Sequence, residues 1–415
     1  MSAVLFKNGN LLDPTQPELQ EGYDVLVEDG LIKEVSDKPI SAASARIIDA
    51  TGKTVMPGLI DLHGHVMATQ LNLSSQGALP DALVMMRAVP IMAAMLRRGF
   101  TTLRDAGGAG WGLKCAVEEN TIVGPRLFIS GRALSQTGGH GDPRQRSDHL
   151  RPMSYCGCCF RAGDIGRVVD GVDNLRRAVR EEFQMGADQI KIMASGGVAS
   201  PTDPIAAYGY SEEEIAAIVA EARGRQTYVM AHSYTAEAIE RAVRNGVRTI
   251  EHGNLIDEPV ARLMAEKGAY VVPTLVTYEA LANEGASYGL PADSVAKIAT
   301  VRTAGLASLE LYKRAGVKMG FGSDLLGPSQ RLQSDEFRIR AEVLPNFDVL
   351  QSATVIGAEI LNMQGKLGQL IPGAIADVLV VDGDPYNDIN CLLGQGDHIP
   401  LVMKAGQIYH DELAA

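Results

Sequence analysis

The sequence predicts an α/β fold: a (β/α)8 TIM barrel with a small β-sandwich domain built from both chain ends. Three observations predict it. Through the middle of the chain, eight short apolar strand candidates alternate with amphipathic helix patterns, the texture of a parallel sheet wound through crossover helices. Both ends are instead rich in short strands and turns. The 415 residues also exceed the roughly 250 of a minimal barrel, which leaves chain for an accessory. The expected division is residues 1–56 plus 366–415 for the sandwich and 57–365 for the barrel.

Taken in order, the first segments are VLFKNGNLLD, YDVLVEDGLIKEV and ARIIDATGKTVM, with turns expected at Asn8-Gly9-Asn10, Asp29-Gly30 and Thr51-Gly52. Asp-Gly between apolar alternations is a hairpin signal. The eight barrel strands are expected in GLIDLHGHV, FTTLRDAG, RLFISG, QIKIMASGG, TYVMAHSY, RTIEHGN, YVVPTLV and VKMGFGSD. Between them, IMAAMLRRG places Met92, Met95 and Leu96 at helical spacing, which reads as core. After TYVMAHSY, the apolar stripe Ala238, Ile239, Ala242 and Val243 predicts a helix that stops at Gly246. Ser211 with Glu214 predicts a capping box, and Glu212-Glu213-Glu214 suits the positive end of that helix dipole. Residues 132–172 read as a long irregular segment and 197–210 as a Pro/Gly-punctuated loop. Loops after barrel strands lie at the catalytic face, where long ones form lids or walls. The texture of the first strands returns in LGQLIPGAIADVLVVDGD and LVMKAGQIYH.

Composition narrows the function classes. Lys+Arg number 38 against 50 Asp+Glu, a net charge of −12, which argues against nucleic-acid binding because that needs clustered cations on phosphates. No apolar run approaches the roughly 18–20 residues of a membrane helix, and MSAVLFKNGNLLDP lacks the basic and apolar regions of a signal peptide. Five Cys make no disulfide framework, so a cytoplasmic setting is expected.

The strongest local signal is His63-Gly64-His65, at the end of an apolar strand. Imidazoles two residues apart on a strand point to one side and can reach one metal ion, with Gly64 leaving the approach open. His232, His252 and Asp324 stand at the ends of the fifth, sixth and eighth strand candidates. In a barrel those ends converge on one pocket. Lys191 lies inside an apolar strand, where burial disfavours its charged form. Carboxylated by carbon dioxide it becomes a carbamate able to bridge two metals; the alternative is a Lys paired with an acid.

On these segments, PGLIDLHGHV, strand-four Lys191, His232, EHGN with His252 and GSD with Asp324, the chain resembles the amidohydrolase superfamily over essentially its whole length. TTLRDAGG, KIMASGG and AHSYTAEAIERAVRNGVRTIEHGN resemble its prolidase-like branch, which is related to imidazolonepropionase and hydrolyses Xaa-Pro and related dipeptides or N-acyl amino acids. The resemblance implies two divalent ions, expected to be Zn²⁺. His63, His65 and Asp324 would bind the first and His232 and His252 the second, with Lys191 as N6-carboxylysine and a hydroxide bridging them. Such a site carries about +1 and attracts an anionic substrate. The implied mechanism is metal-assisted amide hydrolysis, with Asp324 passing a proton from the hydroxide to the leaving nitrogen.

Two more residues are candidates. Tyr228 shares a strand face with His232, though deeper, and the resemblance suggests that it meets the substrate's carboxylate or carbonyl. His140, in Gly-rich SQTGGHGD, is expected to polarise the carbonyl or bind the carboxylate; His149 is a weaker candidate, and His398 and His410 are expected at the surface. Cys156, Cys158 and Cys159 lack the separated pairs of a zinc site and read as a reduced or redox-sensitive loop.

The expected activity is therefore cleavage of the amide bond to a C-terminal amino acid, as in an Xaa-Pro dipeptidase. The same chemistry on N-acyl amino acids, on dipeptides with hydrophobic, aromatic or basic C-terminal residues, or on cyclic amides is the alternative. Single-metal deaminases share the scaffold, but Lys191 argues against them. A non-catalytic metal-binding barrel is the reading from another class. A homo-oligomer is compatible with such a barrel; no interface is legible.

Overall fold

The computed structural model describes residues 3–77, 79–142, 144, 163–198, 203–288 and 292–413. Cys156, Cys158, Cys159 and His149 lie outside them. The strands are β1 (Val4–Leu11), β2 (Gln20–Glu28), β3 (Leu31–Ser36), β4 (Arg46–Asp49), β5 (Thr54–Pro57), β6 (Leu59–Gly64), β7 (Phe100–Asp105), β8 (Arg126–Ile129), β9 (Ala133–Ser135), β10 (Gly166–Val168), β11 (Ile190–Met193), β12 (Val229–Thr235), β13 (Thr249–Leu255), β14 (Tyr270–Val272), β15 (Val378–Val381), β16 (Leu401–Lys404) and β17 (Gln407–Asp411).

Both chain ends build one eight-stranded sheet, in the order β17-β16-β15-β5-β1-β2-β3 with β4 also on β1. The ends meet where β5 runs antiparallel to β15, Met56 opposite Leu379. Alternate residues of these strands bury one face: Val4, Phe6, Val25, Val27, Val378, Val380, Leu401 and Met403 form a single apolar cluster. Asp29-Gly30 makes the β2–β3 turn with both residues at positive φ, as a two-residue hairpin requires. Asn8-Gly9 makes no turn. Asn8, at φ 54°, sits inside β1 at a register shift against β2, so the signal marks a bulge.

The middle of the chain forms two parallel sheets, β6-β7-β8 and β10-β9-β11-β12-β13-β14. Seven of the eight expected barrel strands are present. The eighth, residues 317–324, has no ladder of its own and makes one bridge, Val271 to Met319. It nevertheless bonds on both sides: Gly320 N to Val271 O at 2.8 Å, and Leu62 N to Phe321 O at 2.8 Å. Gly322 permits that squeeze, since a Cβ there would stand 2.5 Å from Val272 and 2.9 Å from the His63 Cβ. Among the described residues of 132–172, β9 pairs in parallel with β10 and touches β11, order that the sequence did not predict.

The helices follow the sequence closely. Ser211 and Glu214 form the capping box of the helix Glu212–Gly224. Ala238, Ile239, Ala242 and Val243 are the buried stripe of Ala236–Arg244, and Met92, Met95 and Leu96 are buried. Among the described residues, no helix is long and apolar enough to cross a membrane.

Candidate active site

The ends of β6, β11, β12 and β13 and the segment 317–324 place their polar side chains together. His63 Nε2 and His65 Nε2 approach Asp324 Oδ1 at 3.5 and 3.3 Å, and ligand atoms of these three residues lie within 4.8 Å of one another. Lys191 Nζ is 3.4 Å from His63 Nε2. The His252 ring lies 5.0 Å from that of His63 and 4.6 Å from that of His232, centroid to centroid. The six residues expected to hold metal are thus gathered in one place.

Each imidazole has one nitrogen occupied by the protein. His63 Nδ1 meets Glu251 Oε2 at 2.7 Å, His65 Nδ1 meets the Gly107 carbonyl at 2.9 Å and His252 Nδ1 meets Thr274 Oγ1 at 2.8 Å. All three leave Nε2 for another partner. His232 is reversed: its Nε2 faces the Gly196 carbonyl at 3.2 Å, which leaves Nδ1. Carbonyl oxygens only accept, so these contacts fix the tautomers of His65 and His232.

Burial sets the charge states. It holds His63 and His232 well below the usual imidazole range and lowers His252 to about 4, so these rings are neutral and offer lone pairs. At His65 burial acts the same way, but the hydrogen bond and charge of Asp324 outweigh it and raise the ring. Burial lowers Lys191 to about 8, against the pull of Glu251 and Asp324. Asp324 stays ionised despite burial because the neighbouring histidines favour its charge. With its side chain 22% exposed, against 1% for His63, it is the member of the set that meets solvent.

Two of these residues have unusual backbones. His252 (φ 71°) and Asp324 (φ 50°) are both left-handed, which costs a non-glycine residue about 1–2 kcal/mol. Strand alternation would send Glu251 and His252 to opposite faces, and the left-handed turn brings both to His63. Gly64 has a different role from the one expected. A Cβ there would strike Leu103 Cδ1 at 2.7 Å, so the glycine serves packing against β7.

Behind the site, the buried Arg104 donates to Glu251 Oε1 and Oε2 at 2.9 and 3.0 Å, to Leu62 O at 2.6 Å, to Thr249 Oγ1 at 3.2 Å and to the Tyr228 hydroxyl at 3.3 Å. Glu251 is fully buried and had no part in the sequence reading; the signal was a lone acid inside an apolar strand, partnered by the Arg of TTLRD. Carboxylates behind ligating histidines typically contribute 10–100-fold in metal affinity. Glu251→Gln keeps the shape and removes the charge, and is expected to weaken metal retention by that factor. Chelator competition measures it, and unchanged affinity would show that Glu251 serves packing alone.

His140 is brought to the site. Its ring stacks on His232 at 4.3 Å, Nδ1 stands 3.6 Å from Asp203 Oδ2, and the absence of a side chain at Gly197 makes room for it. Tyr228 is not. Four residues deeper on the strand, about 13 Å at 3.3 Å per residue, it packs with Ile60, Leu62 and Val272 and binds Arg104. Tyr234, which the sequence reading passed over, is the tyrosine beside the histidines: its ring stacks on His252 at 5.2 Å and its hydroxyl meets that of Tyr278 at 3.0 Å. His398 is exposed, and half-buried His410 pairs with Glu412.

Comparison with known proteins shows the family. The amidohydrolase family model matches residues 54–409. A crystal structure of an amidohydrolase, 68% identical, superposes with a TM-score of 0.97 over 99% of this chain and 100% of that one. A prolidase solved in complex with N-methylphosphonate-L-proline is 57% identical, with a TM-score of 0.96 over 99% of this chain and 100% of its own. The ochratoxinase of Aspergillus niger is 31% identical over 411 residues, 96% of this chain and 85% of that protein.

Proposed function

The chain belongs to the amidohydrolase family and is a hydrolase acting on C–N bonds; from that premise we propose that it is a binuclear enzyme cleaving the amide bond to a C-terminal amino acid, with Xaa-Pro dipeptides as substrates. One observation carries the reading: His63, His65, Lys191, His232, His252 and Asp324 gather at one site in a chain 57% identical to a prolidase that binds a proline phosphonate. Membership of the family sets aside the non-catalytic alternative. The two parallel sheets are, on this reading, arcs of one closed (β/α)8 barrel, supported by the bonds of residues 317–324 to both Val271 and Leu62. Residues 1–56 with 366–415 form the accessory domain around it, supported by their shared apolar cluster.

Members of the family typically use divalent metals, and the donors fit such a pair: neutral imidazoles with one nitrogen free, an ionised carboxylate, and a buried amine. His63, His65 and Asp324 would hold one ion, His232 and His252 the other, and Lys191 as N6-carboxylysine would join them. Bound Zn²⁺ or a similar ion supplies Lewis acidity toward the scissile carbonyl and lowers the pKa of water from about 16 to about 7. Asp324, ionised and partly open to solvent, accepts a proton from the attacking water and returns it to the leaving nitrogen. His140 polarises the substrate carbonyl or holds its carboxylate, oriented by Asp203. Tyr228 has no substrate role here; it braces Arg104.

A panel of dipeptides and N-acyl amino acids varying only the C-terminal residue tests the assignment. Xaa-Pro turnover is expected to exceed the other members by at least about tenfold, to vanish with chelator and to return with zinc. The ochratoxinase likeness shows that amide-hydrolysing relatives of this chain are not all prolidases, and preference for hydrophobic, aromatic or basic C-terminal residues would install that second reading.

A further inference from the structure

At the far end of the barrel strands from His232 and His252 lies a cavity of about 540 Å³. It opens where β12, β13 and β14 begin and where the helices Glu212–Gly224, Ala236–Arg244 and Glu258–Lys267 end. Its lining includes Arg223, Arg244, Arg248 and Lys267 and no acidic residue. For a chain with a net charge of −12, that is a local inversion of sign. Cations in the last turn of a helix complement its dipole, which accounts for Arg223, Arg244 and Lys267 singly. It does not account for Arg248, which precedes a strand.

The Arg248 guanidinium lies 4.8 Å from the Tyr228 ring centroid and 5.4 Å from that of Tyr270. Its hydrogen bonds go to the Asn362 side chain at 2.6 Å and the Glu359 carbonyl at 2.9 Å, and its charge helps hold the Glu359 carboxylate ionised. Arg223 leans over Gly246, where a Cβ would stand 2.5 Å from its Nη2, and so enters the same concavity as Arg244. Arg244 pairs with Glu240 on its own helix. Guanidinium forks match the planar oxygens of carboxylate and phosphate, and the volume falls within the range of small-molecule sites, about 300–1,000 Å³.

We propose that this cavity is a second binding site, separate from the metal-ligating cluster, for a small anion carrying phosphate or carboxylate groups. The site stands independently of the hydrolase reading. It also has a route to the first site: Tyr228 lines it and accepts from Arg104, which holds Glu251 behind His63.

Calorimetric titration of the metal-loaded protein with inorganic phosphate, and separately with succinate, at constant ionic strength tests the proposal. One saturable site is expected for at least one probe, and the probe that binds identifies the chemistry. In the double variant Arg223→Ala/Lys267→Ala, both positions exposed, affinity is expected to fall at least tenfold with unliganded kcat/KM unchanged. Arg248→Ala is expected to lose binding as well. Equal binding by wild type and double variant would place the anion at the metals or show an adventitious ion only, and either result overturns the site, as does no saturable binding of either probe.

Discussion

Asp324→Asn is expected to keep its metal and lose nearly all turnover, with kcat down about 10²–10⁴-fold, the usual contribution of a positioned acid–base group. Asn retains an oxygen where the carboxylate faces His63 and His65 but has no site for a transferable proton. It also suits the backbone. Asp324 is left-handed at φ 50°, a conformation that Asn adopts more readily than most residues, so the substitution isolates the chemistry from strain. Elemental analysis beside kcat on the best dipeptide gives the answer. Retention of more than about a tenth of the activity would remove Asp324 from proton transfer, and loss of both activity and metal would reduce it to a ligand.

Lys191→Ala is expected to cost at least about 100-fold in kcat/KM and to be partly restored by formate or acetate. Lys191 is 1% exposed, with Nζ 3.4 Å from His63 Nε2, and burial brings its amine to about 8. A neutral fraction is what reacts with carbon dioxide, and the product exchanges a cation for an anion with two oxygens. The Ala variant vacates that volume, and a short carboxylate offers the same pair of oxygens. Lys191→Arg keeps a cation that cannot be carboxylated, and should stay inactive with or without acetate. Activity in that variant, or full activity of Lys191→Ala without added acid, would show that the lysine serves only as a buried counter-charge.

What the sequence revealed and what it hid divide along physical lines. His63, His65, Lys191, His232, His252 and Asp324 were legible because strand ends in such folds converge, and because a polar residue in an apolar strand is conspicuous. The eighth strand was legible as a segment but not as a ladder, since its partners on both sides are set by glycine-permitted approaches such as that at Gly322. Glu251 was hidden by the period-two rule: adjacent to His252, it should face away, and only the positive φ of His252 lets both reach His63. Tyr228 obeyed that rule and lies deeper than His232 as expected, a depth that sets it against Arg104 rather than beside the histidines. Tyr234 obeys the same parity two residues past His232, but a tyrosine at a strand end carries no signal of its own in the sequence. Asn8-Gly9 carries a turn composition, and its use as a bulge depends on β2 lying alongside.

The pairing of β5 with β15 has a consequence for synthesis. Pro57 and Val378 are partners, and Gly58 N, just before the strand of His63, donates to Asp377 O at 3.0 Å. The earlier partner leaves the ribosome roughly 320 residues ahead of the later one, about 15–60 s at ordinary elongation rates. Throughout that interval the edge of β5 has no neighbour on that side, and the entry to the strand of His63 is unanchored. The geometry of the cluster therefore depends on a segment made long after β5, and a ribosome-stalled product that ends before β15 should bind metal poorly even with His63, His65, Lys191, His232, His252 and Asp324 already synthesised.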